Sequence, residues 1–169
     1  MNKICIELLN GKKMNVELYE DIAPITVKNF LKLVDQKYFD GVIFHRIIKD
    51  FMVQAGGYKI DGNNLIEAGD AETIKGEFEA NGIKNDIKHV KGVISMARTN
   101  IKDSASTQFF ICTADAPHLD GQYAAFGKVA DDKSLEVLEK LNNARTEFVS
   151  NAFADFPYPF ITIESIRVI

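Results

Sequence analysis

The chain reads as a series of short apolar runs, most of strand type, broken by turn-forming residues. Residues 4–9 and 14–19 form two such runs around Asn10-Gly11, a strong hairpin signal because both residues tolerate positive φ. A helix is predicted next. Pro24 suits a first helical turn, and Val27, Phe30, Leu31 and Val34 follow the i, i+3, i+4, i+7 rule for one apolar face. Beyond Asp40-Gly41, residues 42–48 and 51–55 read as strands, followed by Gly56-Gly57. Residues 58–75 are polar and irregular and predict a long surface loop, and 90–97, 107–113 and 124–129 predict further strands. A second helix is predicted over 133–143, with Leu135, Val137, Leu138 and Leu141 apolar and Asp131-Asp132 near its N-terminus. Residues 160–169, rich in Ile and β-branched side chains, predict a closing strand, and 143–159 a loop packed on the body of the fold. Many short strands with two helices predict a mainly β fold, a barrel or a sandwich. Two helices suit a barrel, because they can cover its two open ends.

Length and charge narrow the picture. At 169 residues the chain is expected to be one domain over 1–169, able to bury roughly 70% of its unfolded surface without staples. The net charge is −4 with scattered basic residues, and Lys12-Lys13, the one adjacent basic pair, falls at the hairpin turn. No stripe of Lys and Arg can neutralise a run of phosphates, so no nucleic-acid partner is expected. Cys5 and Cys112 each lie inside an apolar run, which predicts buried free thiols in a reducing compartment. Glu7 interrupts the first apolar stretch too early for a secretory core, and no run approaches the eighteen or so apolar residues of a membrane span. The expectation is a cytoplasmic protein with no membrane partner.

The usual chemical signatures are missing. There is no GxxxxGK[ST], GxGxxG or HExxH, and His45, His89 and His118 have no Cys or His at zinc spacing, so no metal is expected. Ser95, Ser104 and Ser106 stand in no nucleophile-elbow context. What remains is one charged group among apolar ones. Phe44-His45-Arg46-Ile47-Ile48 places a guanidinium in mid-strand. Alternation then puts Met52 and Gln54 on one face, and likewise Gln108 and Phe110. Each piece alone reads as ordinary structure, an edge-strand arginine with a solvated head and some core aromatics.

Taken together they resemble a known family. Phe44-His45-Arg46-Ile47-Ile48-x-x-Phe51-Met52-x-Gln54-x-Gly56-Gly57 is similar to the cyclophilin signature. Ser95-Met96-Ala97-Arg98, Gln108-Phe109-Phe110-Ile111, Leu119-Asp120-Gly121 and Phe126-Gly127 follow in the family's order and near its spacing, and Met96-Ala97-Arg98-Thr99 is similar to bacterial members. The resemblance implies a closed eight-stranded antiparallel β-barrel capped by two α-helices, with a substrate groove on its outer surface. It implies a peptidyl-prolyl cis/trans isomerase that assists protein folding, needs no cofactor, and acts on proline-containing peptides and unfolded or folding proteins as a monomer. Arg46 is then the catalytic group. Phe51, Met52, Phe110 and Leu119 form the proline pocket, Gln54 and Gln108 flank it, and Ala97 and Arg98 offer backbone groups to an extended substrate. His45, His118 and Tyr123 complete the implied substrate-binding set.

This sequence departs from many eukaryotic members at three of these places: His118 stands where they carry Trp, Tyr123 where they carry His, and Arg98 where Asn is common. The first implies weak cyclosporin binding. The alternatives are a non-catalytic proline-peptide binding module on the same fold, which would lack the Arg, and a small-molecule carrier with a ligand inside the barrel. The Phe, Ile, Leu and Val content of the strands predicts a filled interior instead.

Overall fold

In the computed structural model, which describes residues 2–169, eight strands follow one another edge to edge around a barrel. In chain order the elements begin with β1 (Asn2–Leu8), β2 (Lys13–Leu18), α1 (Pro24–Asp35), β3 (Val42–Ile48), β4 (Met52–Asp61) and β5 (Asn64–Glu67). They continue with β6 (Val93–Met96), β7 (Phe109–Cys112), β8 (Ala125–Val129), α2 (Asp132–Asn142), β9 (Thr146–Glu147), β10 (Phe156–Pro157) and β11 (Ile163–Val168). The spatial order is β11-β1-β2-β8-β6-β7-β4-β3, and every neighbouring pair is antiparallel. The two ends of this path meet. Gly41 donates its N–H to Ile163 O at 2.9 Å and Phe44 donates to Ile161 O at 2.9 Å, which closes the barrel between β3 and β11. Closure removes the open edges that would otherwise template aggregation.

The barrel is filled. Phe30 reaches in from α1 and stands 5.0 Å from Phe39, 5.6 Å from Phe109 and 5.4 Å from Phe126, centroid to centroid. Alternate residues of the strands supply most of the rest: Ile4 and Ile6, Met14 and Val16, Val53 and Ala55, Phe109 and Ile111 lie in one buried cluster, joined by Phe44 and Ile47 of β3. The interior is packed with these apolar side chains. The α1 face is Val27, Phe30, Leu33 and Val34, with Leu31 only partly buried. Across the barrel, α2 buries Leu138 and Leu141 against it. Its N-terminus is capped by Asp131, whose side chain accepts from Ser134 N at 2.8 Å, satisfying one of the donors a helix start leaves free. No helix among the described residues is long and apolar enough to cross a membrane.

Three expectations from the hydrophobic pattern need correction. Residues 58–75 are not one long loop: β4 runs on to Asp61, turns at Gly62, and pairs with β5 from Tyr58↔Glu67 to Asp61↔Asn64. This arm is mostly half-exposed on both faces, so it needs no apolar side and leaves no alternating signal. The strand predicted over 90–97 shrinks to Val93–Met96, because Gly92 takes φ +94° and breaks the extended run. Residues 143–159 contain a small hairpin, β9 with β10.

Replacing Phe30 by Ala should empty the centre of the aromatic cluster and cost about 3–5 kcal/mol of unfolding free energy. Urea unfolding monitored by circular dichroism measures it, and a loss below about 1 kcal/mol would mean the barrel is not built on that ring.

Candidate active site

A local irregularity in β3 builds the site. Phe44 pairs with Ala55 and Arg46 with Gln54, so two residues on β3 step against one on β4. The extra residue is a β-bulge at His45. In strict alternation Arg46 would share the inward face of Phe44, burying a charge without a partner. With the bulge, His45 and Arg46 both leave the interior, and Ile47 returns to it. Arg46 ends on the exposed outer face.

That face carries a second, smaller apolar cluster. Met52 on β4 and Phe110 and Cys112 on β7 point outward between the core residues Val53, Phe109 and Ile111. Leu119, from a short 3₁₀ turn at Pro117–Leu119, and Ala116 join them, with Ile48, Phe51, Ala97 and Tyr123 packed at the edges. The floor and walls are therefore held on strands rigidly paired at Gln54↔Phe110 and Met52↔Cys112. Phe51 is set by α2. Asp50, at φ +59°, donates its N–H to Asn142 Oδ1 at 2.8 Å, and Asn142 Nδ2 donates to Asp50 Oδ1 at 3.0 Å. This clamp holds a left-handed residue, uncommon outside Gly, immediately before Phe51.

The resulting groove, about 120 Å³, is lined by Arg46, Phe51, Met52, Gln54, Ala97, Arg98, Phe110, Leu119 and Tyr123. Arg46 Nη1 donates to Gln54 Oε1 at 3.4 Å, and Gln54 Nε2 donates to Gln108 Oε1 at 2.9 Å. This relay aims the guanidinium over the apolar floor and leaves most of its donors free. Gly56-Gly57 makes it possible: a Cβ at Gly56 would collide with the Thr107 carbonyl oxygen, and one at Gly57 with the Gln108 amide.

The remaining expected residues fall in three places. Gln108 lies in an adjoining cavity of about 300 Å³ that shares Gln54, Ala97 and Arg98 with the groove. His118 is exposed at the rim, its ring 5.5 Å from that of Phe51. His45 is not brought to the groove at all. It is buried, edge-on to Tyr58 at 4.8 Å and 6.4 Å from Phe153, and its Nδ1 has no hydrogen-bond partner. The bulge that turns Arg46 toward the groove aims His45 elsewhere.

Arg98 does more than lend its backbone. Its guanidinium sits 4.8 Å from the Phe78 ring centroid and 4.7 Å from that of Tyr123, and it donates to Gln122 O at 3.1 and 2.7 Å and to Thr99 O at 2.9 Å. Stacked and fork-bonded, it fixes Tyr123, whose ring meets Phe110 edge-on at 5.8 Å. A buried polar bridge behind the floor was not legible in the sequence either. The Asp120 carboxylate accepts from the His89 backbone N–H at 2.7 Å and from its Nδ1–H at 3.1 Å. His89 Nε2 then accepts from the Ser95 hydroxyl at 3.0 Å, and the imidazole stacks behind Phe110. Three polar residues scattered between 89 and 120 carry no spacing signal. Among the described residues, no group of three or more His, Cys, Asp or Glu is placed to hold a metal ion.

Comparison with known proteins agrees with this geometry. Residues 4–168 match the family described as cyclophilin type peptidyl-prolyl cis-trans isomerase/CLD. Peptidyl-prolyl cis-trans isomerase A of Dickeya dadantii is 41% identical over 169 residues, covering 96% of this chain and 83% of that protein. A peptidyl-prolyl cis-trans isomerase of Acinetobacter baylyi is 41% identical over 142 residues, covering 81% of this chain and 70% of that protein. The crystal structure of a Cryptosporidium parvum cyclophilin type peptidyl-prolyl cis-trans isomerase superposes with a TM-score of 0.79 at 27% identity, covering 99% of this chain and 97% of that one. The match over residues 4–168 and the relatives at 41% identity place this chain in a class of isomerases, and it belongs to the cyclophilin family of peptidyl-prolyl cis/trans isomerases.

Burial, and next to it the Arg46 charge, push the His45 imidazole down to about 4 from its ordinary 6.5. Between those pH values the unfolded chain binds a proton that the folded chain does not, so stability is full above about 6.5 and falls with acidification, by about 3 kcal/mol in all. Urea midpoints at neutral pH and near pH 4 should therefore converge for His45→Phe relative to wild type. Parallel losses in the two proteins would show that His45 is not the group being protonated.

Proposed function

We propose that Arg46 catalyses rotation of X-Pro bonds by hydrogen-bonding the proline nitrogen, while Phe51, Met52, Phe110 and Leu119 hold the ring. The observation that carries this reading is the single free guanidinium, aimed by Gln54 across an apolar floor the size of a proline ring. A planar amide resists rotation by about 18–20 kcal/mol because its C–N bond has partial double-bond character. At the twisted transition state that resonance is lost and the nitrogen regains a basic lone pair. A donor placed there binds the twisted form more tightly than the planar one, which is what acceleration requires. The apolar pocket adds to the effect by disfavouring the more dipolar planar amide. Rotation breaks no covalent bond and needs no nucleophile.

Substrate follows from the same surface. A related Cryptosporidium parvum cyclophilin was crystallised in the presence of the dipeptide Ala-Pro, and its structure superposes on this chain with a TM-score of 0.78 at 27% identity. Proline-containing segments of unfolded or folding proteins fit the open groove, since it lies on the outside of the barrel and accepts a chain running across it. Gln54, Gln108 and the backbone of Ala97 and Arg98 supply its polar edge. Cys5 and Cys112 are buried free thiols, which supports a reducing, cytoplasmic setting. A monomer suffices for the activity, because each barrel carries a complete groove.

Arg46→Ala should lower kcat/KM on an Ala-Pro peptide at least about tenfold, or ~1.4 kcal/mol, in a folded protein. Turnover by wild type should be nearly flat from about pH 6 to 9, since Arg46 stays charged throughout and both His45 and His89 titrate below their ordinary value. Full activity in the Ala variant, or a bell-shaped profile, would move the chemistry to another group.

Cyclosporin tests the rim. His118 offers less apolar area and a more hydrated ring than an indole, so an apolar macrocycle gains less by covering it. Inhibition should be weak in wild type and tighten about tenfold in His118→Trp. Nanomolar inhibition of wild type, or no gain in the variant, would take His118 out of this role.

A further inference from the structure

The groove does not stop at Arg46. A second cavity, about 320 Å³, shares Arg46 and Gln54 with it and is otherwise lined by His45, Tyr58 and residues 151–155. Its outer wall is the connection between β9 and β10, which is well tied down. Val149 donates to Phe153 O at 2.9 Å and Phe153 to Ser150 O at 3.0 Å, while Ile47 donates to Asp155 O at 3.0 Å, pinning this wall to the strand that carries Arg46. Its aromatic surface is Tyr58 and Phe153, edge-to-face at 5.1 Å.

The charges in this cavity are few. His45 is neutral at working pH. Arg46, on the shared edge, faces the proline site and leans on Gln54. Asp155 is half-buried and makes no ion pair within 4.0 Å among the described residues. It is the one acidic residue lining the cavity, which Tyr58 and Phe153 line as well. A carboxylate next to aromatic faces suits a cationic side chain, which donates charge-assisted hydrogen bonds to the first and makes cation–π contact with the second. An extended peptide advances about 3.3 Å per residue, so a side chain within three residues of the proline reaches from one cavity to the other.

We propose that this second cavity is a substrate subsite that recognises a lysine or arginine flanking the isomerised proline, with Asp155 as the specificity-determining residue. The inference rests on the assignment of the Arg46 groove as the site of catalysis, and the experiment separates the two. Exchange NMR measures kcat/KM for Ala-Ala-Ala-Pro-Ala-Ala-Ala peptides carrying Lys or Glu at each of the six flanking positions in turn. In wild type, Lys should be preferred over Glu by about fivefold or more at one position, through KM, and the preference should shrink in about 0.5 M salt. In Asp155→Asn it should fall to within about twofold, and Ala152→Lys, a change at an exposed position of the same wall, should weaken it likewise. The ratio is internal to each variant, so a general loss of activity does not mimic the effect. A wild-type enzyme with no preference at any position overturns the subsite, and so does a preference that survives Asp155→Asn. Activity on the all-Ala peptide that persists in Arg46→Ala would instead overturn the groove assignment.

Discussion

One extra residue in one strand decides which side chains of β3 face the core and which face the groove. β3 must place Phe44 and Ile47 inside, because both belong to the buried cluster around Phe109 and Phe126. An unbroken pleat puts residues two apart on one face, and would send Arg46 in with Phe44. The bulge at His45 absorbs the mismatch: it keeps both apolar residues in the core and turns the guanidinium outward beside Gln54. The groove and the Gln54–Gln108 relay depend on that shift, and so does the burial of His45 under Tyr58 and Phe153.

The division between the two faces of β4 and β7 does the rest. Their inward residues fill the barrel, and their outward residues Met52, Phe110 and Cys112 make the separate cluster that floors the groove. Because both sets hang on one hydrogen-bonded ladder, the site inherits the rigidity of the core. Less regular segments then complete it. The Asp50–Asn142 clamp sets Phe51, the Arg98 stack sets Tyr123, and the His89–Asp120 bond ties Leu119's turn to the strand beneath Phe110. Hydrogen-bonded polar side chains thus position apolar ones that have no directional bonds of their own.

Much of this was legible in the sequence, for physical reasons that differ from element to element. Asn10-Gly11 marks its hairpin, where Gly11 at φ +87° takes the positive φ and Asn10 does not, and Val27, Phe30 and Val34 mark α1 because a helix buries one stripe. Met52 with Gln54, and Gln108 with Phe110, are linked by strand alternation alone, and Arg46 stands out as a charge within an apolar run. The family's motifs, in order and nearly in register, carried the reading from these fragments to a fold and a reaction.

What only the tertiary structure decided is where neighbouring side chains go once the chain is folded. His45 and Arg46 are adjacent, and a bulge, which arises from pairing with another strand and not from local sequence, separates a buried imidazole from an exposed guanidinium. The β4–β5 arm escaped the pattern because a ribbon half-exposed on both sides has no apolar face to show. Asn142 on Asp50, Arg98 on Gln122 and residues 151–155 beside Arg46 are contacts between segments distant in the chain. Periodicity reports which side of an element is buried, since that follows from the local geometry of the backbone. It does not report which distant element lies against that side, because the closure of the whole barrel sets that pairing.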